Sequence, residues 1–340
     1  MAASEGAVVL LTGGVPARLT GGNLYNRHLC ACLEAAGVRV GVETAPPRTY
    51  PRLAIVDAIA IEQGFPWIAA RPPGTVAVAL MHMLPSLHAR SSEERFRWRR
   101  LEMAFLRHVD LVIAASQDLA EWLRRVEVPE DQLRMVPPGK DGPQPPPGAV
   151  ERGVPASASG SRLLCVANWF PVKNLDVLIQ AIADLPPDVQ LDLVGDPAAD
   201  SAYADRVRGA ILRFSLADRV HIHGPIPPER LGARYASADV FVLPSAFEGY
   251  ATVAAEALWF GLPVVATAVG GIPHLVSSGV EGILVPPGRP RPLTEALRRL
   301  CGDDALRRRM AAAAVKRGQA LPSWRDTREA LQRLLVPRLA

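Results

Sequence analysis

The sequence predicts an α/β protein made of two similar doubly wound domains that face each other across a cleft. Three observations predict it. Short apolar runs alternate with helix-period segments along the whole 340-residue chain, the βαβ pattern of a parallel sheet covered on both faces. One stretch, PPGKDGPQPPPGAVERGVPASASGS, is dense in Pro, Gly and Ser without periodicity, and reads as a linker. Beyond it the same alternation restarts, and 49% hydrophobic residues suffice for two cores.

The first strand is AVVLL. It follows an acid and ends at Gly-Gly, too short an apolar run for a signal peptide. The strands VRVGVE, LAIVDA, VAVALMH, DLVIAAS and LRMVP follow. The helices between them include GNLYNRHLCACLEAAG and an arginine-rich segment from Glu93 to His108. After the linker, strands are expected at SRLLCVAN, QLDLVGD, DRVHIHG, ADVFVLPS, LPVVATA and GILVPP. The helices between are NLDVLIQAIADL, ADSAYADRVRGAILRFSL, PPERLGARYASA, ATVAAEALWFG and PRPLTEALRRLCG, and the chain closes on SWRDTREALQRLLVPRL. The expected domains are residues 1–143, a linker at 144–160, a second domain at 161–318, and a helix at 319–340 returning to the first.

Charge and composition exclude several classes. The net charge of +4 is spread along the chain, without the basic stripe of a nucleic-acid binder. Its one local excess lies between His88 and His108, where six arginines stand against three glutamates with Phe96, Trp98 and Phe105 among them. An amphipathic helix packed on its own domain accounts for this; a weak membrane-surface contact through Arg90 to Arg107 is the sharper alternative. Cys30, Cys32, Cys165 and Cys301 lack metal-ligand spacing and read as reduced thiols. No charge-free stretch reaches membrane-spanning length, so a cytoplasmic protein is expected, with peripheral membrane attachment left open. Neither Gly-rich turn, at Thr12–Gly14 or Gly21–Gly22, forms the dinucleotide fingerprint of a dehydrogenase.

The chemistry concentrates in FEGYATVAAEALWFGLPVVA. Glu248 falls in the loop after a strand, and Glu256 just over one turn into the following helix. A carboxylate in such apolar company needs a partner. The amides of Gly249, Tyr250, Ala251 and Thr252 belong to a helix start, where backbone N–H groups lack internal acceptors and favour an anion. Two hydroxyl acceptors beside a set of phosphate donors match a nucleotide sugar. The bland alternative pairs Glu256 with an arginine and leaves Glu248 solvated.

The segment PSAFEGYATVAAEALWFGLPVVATAVGGIPHLV resembles the signature of the retaining family-4 glycosyltransferases. These have the GT-B fold, two Rossmann-like domains. Paired glutamates, the helix, G-x-P-V-V-A and G-G-x-P all stand here in order. The resemblance implies that Glu248 and the amides of Gly249 to Thr252 meet the donor sugar, and that Glu256 holds the ribose. LLCVANWFPVKNLDVLIQA resembles the diphosphate-binding strand, loop and helix, which places Lys173 on the diphosphate as a point charge. The family's usual arginine is replaced by Asn168. Gly224, Pro225 and Ile226 fall where the base is received. In the first domain, Gly21 and Gly22 match the family's glycine loop, and His82 ends a strand where the family has a histidine near the sugar. His88 is the poorer candidate there, and His221 and His223 are read as packing or surface residues. No two aspartates stand two positions apart, so no D-x-D metal motif exists and no cofactor or metal is expected. The implied reaction moves a sugar, most simply a hexose, from a nucleoside diphosphate to an acceptor of unknown identity. A nucleotide-sugar epimerase, an inverting transferase, or a non-catalytic binding protein are the alternatives.

Overall fold

The computed structural model describes residues 7–13, 20–87, 89, 91–140 and 161–339. The expected linker at 144–160, together with Gly14, His88 and Arg90, lies outside the described residues. The chain divides into two compact units, Met1–Gly139 with Pro322–Ala340, and Lys140–Leu321.

The first unit runs β1 (Val8–Leu11), α1 (Gly21–Ala35), β2 (Val40–Glu43), β3 (Leu53–Asp57), α2 (Ile61–Ala69), β4 (Val76–Met81), α3 (Ser92–Leu106), β5 (Leu111–Ala114), α4 (Gln117–Arg125) and β6 (Leu133–Met135). The second runs β7 (Arg162–Val166), α5 (Leu175–Ala183), β8 (Gln190–Val194), α6 (Ser201–Arg213), β9 (Val220–Gly224), α7 (Pro228–Ser237), β10 (Val240–Leu243), α8 (Thr252–Trp259), β11 (Val264–Thr267), α9 (Ile272–Leu275), β12 (Gly282–Val285), α10 (Pro290–Gly302) and α11 (Asp304–Ala320). The last helix, α12 (Trp324–Leu335), belongs to the first unit.

Each unit holds one six-stranded sheet, ordered β2-β1-β3-β4-β5-β6 in the first and β9-β8-β7-β10-β11-β12 in the second. Every pairing is parallel. Central strands are covered on both faces, so every residue of β1, β3, β5, β10 and β11 is buried, and their sequences are apolar apart from Asp57 and Thr267 at the last positions of β3 and β11. The edge strand β9 is instead half open. There His223 Nε2 lies 2.6 Å from Asp192 and His221 Nε2 2.9 Å from Gln190, the structural roles the sequence suggests.

Helix starts follow their side chains. Thr20 caps α1 by accepting the Asn23 amide at 3.1 Å, Ser91 caps α3, Ser116 caps α4, and Ser323 with Asp326 closes a reciprocal box on α12. The helix α12 lies along α1. Trp324 stacks on His28 at 4.0 Å, Gln332 donates to the Cys32 carbonyl at 2.6 Å, and Trp324, Leu331 and Leu335 join the core made by Val8, Leu10, Leu29 and Leu33. Helices α2 and α4 add to those expected from the sequence, although Ser116 marks the start of α4. The former has Gly64 and Pro66 in its interior; a Cβ at Gly64 would meet Val56 Cγ1 at 2.6 Å, so this helix lies close on β3.

Helix α3 departs from a simple amphipathic reading. Phe96 is 65% exposed, whereas Glu102 is fully buried and accepts the Ser86 amide at 2.7 Å. Burial pushes the Glu102 carboxyl above its usual range. The four cysteines are free thiols, Cys32 and Cys165 buried and the other two half-buried. Among the described residues no helix is long and apolar enough to cross a membrane.

Candidate active site

In the second sheet the strand order reverses between β7 and β10, and open α/β sheets bind ligands at the carboxyl ends of the strands beside such a point. The loops leaving these two strands carry Lys173 and Glu248. A backbone bond from Ala246 N to the Val172 carbonyl, 2.7 Å, ties one loop to the other. Lys173 Nζ then reaches Glu248 Oε1 at 2.6 Å, and Ser245 Oγ donates to the same oxygen at 2.6 Å. Glu248 is 8% exposed, so it is not a solvated surface acid. Lys173 neutralises it at a site where burial of a lone carboxylate would be costly.

The following turn presents amides. Ala251 caps α8 in the left-handed region (φ 65°), without a side-chain cap. The amides of Gly249, Tyr250, Ala251, Thr252 and Val253 donate to no described residue, and free amides at a helix start favour an anion. The turn is held from behind by Gly270 and Gly271. The Gly271 amide donates to the Glu248 carbonyl at 3.0 Å, and a Cβ at Gly270 would stand 1.9 Å from that same oxygen. This close approach is the physical reason for the two glycines.

Glu256 lies on α8, half-buried, with Tyr235 of α7 donating to its Oε2 at 2.8 Å. Among the described residues no arginine pairs with it. Burial pushes the Glu256 carboxyl up to about 7, against the hydrogen bond from Tyr235, which favours the anion. The Tyr235 hydroxyl is itself pushed well up by burial and by the neighbouring carboxylate. Asn168 follows β7, and its Oδ1 accepts the Asp196 amide at 3.0 Å. Gly224 ends β9 with φ 66°, and its carbonyl accepts the Gly195 amide. Next to it, Pro225 precedes Ile226, which packs against the apolar cluster of Tyr235, Ala251 and Leu258. The structure therefore joins Lys173 to Glu248 directly, while Asn168, Gly224 and Glu256 occupy separate loops and helices of the same unit.

The first unit reverses its strand order between β1 and β3. There Thr12 follows β1 and Asp57 ends β3, joined by His82, which follows the neighbouring β4, and by Asn26 of α1. Asn26 Nδ2 donates to Asp57 Oδ2 at 2.7 Å, and His82 Nε2 lies 3.1 Å from Asn26 Oδ1. Gly21 and Gly22 open α1, and a Cβ at Gly22 would sit 3.6 Å from His82 Cδ2. Burial lowers the His82 pKa, opposed by the charge of Asp57.

Residues 154–317 match the family model described as glycosyl transferases group 1, and residues 55–141 match glycosyltransferase family 4. The chain belongs to the family-4 glycosyltransferases. A D-inositol 3-phosphate glycosyltransferase of Xylanimonas cellulosilytica is 34% identical over 217 residues, 60% of this chain and 52% of that protein. The chain spans about half the length of the curated relatives it matches, as three such alignments covering 52, 55 and 56% show. Among solved structures, sucrose-phosphate synthase from Thermosynechococcus elongatus superposes with a TM-score of 0.82 at 26% identity, over 97% of this chain and 98% of that one. Anabaena HepE, solved in complex with UDP-glucose, superposes with a TM-score of 0.77 at 22% identity, over 97% and 99%. The two Rossmann-like units of this family-4 chain are thus those of the GT-B fold.

Sequence reasoning on this family-4 chain missed Ser245, Tyr235, Asn26 and Asp57. Signals existed for two of them. Asp57 ends the apolar strand LAIVD, and Asn26 interrupts the apolar stripe that Leu29 and Leu33 continue on α1. Tyr235 carried none, because its partner lies on another helix.

Proposed function

We propose that the chain transfers a glycosyl group from a nucleoside diphosphate sugar to a hydroxyl acceptor, with retention of anomeric configuration and without a divalent metal. The observation that carries this reading is the junction of Lys173, Ser245 and Glu248 beside five unengaged amides at the strand-order reversal. The amides and the Lys173 ammonium suit a leaving diphosphate, acting as fixed donors toward developing charge. When phosphate draws Lys173, Glu248 is released to accept sugar hydroxyls, while Glu256 accepts from the ribose. The acceptor oxygen bonds to the anomeric carbon on the face that the diphosphate leaves, and a diphosphate oxygen takes the acceptor proton. Glu248 positions the sugar and forms no covalent bond.

The relatives' names suggest which acceptors to try first. One is named for inositol 3-phosphate and one neighbour for sucrose phosphate, so phosphorylated polyols and sugars lead the list. The first unit, with Gly21, Gly22 and His82, is assigned to the acceptor and the reacting sugar. A thermal-shift screen with UDP, GDP, ADP and their sugar conjugates tests donor binding: the right base raises the melting temperature by mass action. NMR of the product then reads the anomeric configuration. Inversion, epimerised donor, or no turnover by a chain that binds donor each overturn the retaining-transferase reading. Activity abolished by EDTA and restored by Mg²⁺ overturns the metal-free step.

A further inference from the structure

We propose that Asn26 and Asp57 form a tautomer lock on His82, keeping its proton on Nε2 and presenting Nδ1 as an acceptor for a substrate hydroxyl. The substrate clause rests on the transferase reading above; the lock itself does not.

The argument begins at Asp57, the last residue of β3, which is 1% exposed. Its Oδ1 accepts the Ile59 amide at 3.3 Å, and its Oδ2 accepts from Asn26 Nδ2 at 2.7 Å and from the Thr12 hydroxyl at 3.4 Å. An ionised carboxylate only accepts, so the Asn26 amide must turn its NH2 toward Asp57. The opposite orientation would set two acceptor oxygens 2.7 Å apart. That choice leaves Asn26 Oδ1 facing His82 Nε2 at 3.1 Å, and an amide oxygen requires a proton on that nitrogen. The ring is held in place as well: Tyr25 meets it edge-on at 4.7 Å, and Tyr25 in turn donates its hydroxyl proton to the Val136 carbonyl.

Among the described residues, Asp57 and Tyr25 are the titratable groups shown beside His82, and burial lowers the imidazole pKa against the charge of Asp57, which favours the neutral ring. In a neutral ring with Nε2 protonated, Nδ1 carries the lone pair, and it accepts from no described residue. Asn26 and Asp57 are thus positioning residues, acting on substrate only through His82.

The test uses the full-length, ¹⁵N-labelled chain. Long-range ¹H–¹⁵N correlation should show His82 as the neutral, Nε2-protonated ring in the wild type. Asn26→Ala and Asp57→Asn should each give a tautomer mixture. With an active donor, Asp57→Asn should lower kcat about tenfold or more while donor KM holds, the signature of misplaced proton rather than lost binding. Asp57→Asn keeps the side-chain size and serves if Asn26→Ala fails to fold. A wild-type ring protonated on Nδ1, or variants that keep the wild-type tautomer, overturn the lock. A broken lock with unchanged kcat overturns its part in turnover. If no donor is turned over at all, the transferase reading has failed, and the NMR result still decides the lock.

Discussion

At the residue scale, the two glutamates differ in kind. Glu248 is held by a cation and a hydroxyl that share one oxygen; Glu256 is held by a single tyrosine in an apolar setting. Glu248→Gln keeps an acceptor for Ser245 but removes the charge facing Lys173. Turnover should fall by on the order of tenfold to a hundredfold, since a charge-assisted contact becomes a neutral one; steady-state kinetics with the preferred donor checks this. Glu256 gives a pH signature. Its carboxyl is raised from the usual 4.5 to about 7, so between those values the folded state holds a proton that the unfolded state has released. Stability therefore falls as pH rises through that window, by at most about 1.4 kcal/mol per pH unit, and the full cost is reached above it. Glu256→Gln should flatten that slope in denaturation curves between pH 5 and 8. Nucleotide affinity should move the other way, strengthening as the carboxylate forms; titration calorimetry at pH 6 and 8 measures it.

At the element scale, the loops rather than the strands or helices decide the site. The turn carrying Glu248 is shaped by contact with the Gly270–Gly271 turn, where backbone meets backbone. Gly270→Ala would add a Cβ 1.9 Å from the Glu248 carbonyl at a φ of 49°. A loss of about 2 kcal/mol or more in urea unfolding is expected, with nucleotide binding weakened in the same variant. This contact also shows what the sequence made legible. Strands buried on both faces announce themselves as apolar runs, and the paired glutamates and glycine turns stand in one continuous segment. Long-range partners do not. Tyr235 meets Glu256 from another helix, and Glu102, one of three glutamates in an arginine-rich segment, is buried against the Ser86 amide. Helix α2 was hidden by Gly64 and Pro66, residues that count against a helix until the close approach to Val56 explains the glycine.

At the scale of the whole molecule, the first unit is assembled from two separate parts of the chain. Trp324, 2% exposed, is the anchor of the later part, packed on His28 and Tyr25. Trp324→Ala should cost about 3–5 kcal/mol. Hydrogen exchange should then show lost protection in β1 and β3, with β7 and β10 spared, because each unit has its own core. During synthesis, a ribosome that has finished β6 must emit all of Lys140–Leu321 before the strip that seals α1 appears. At ordinary translation speeds that is a delay of roughly 10–40 s. The part begun first is therefore completed last, and its nascent apolar flank stays unsealed while its neighbour in sequence can already mature.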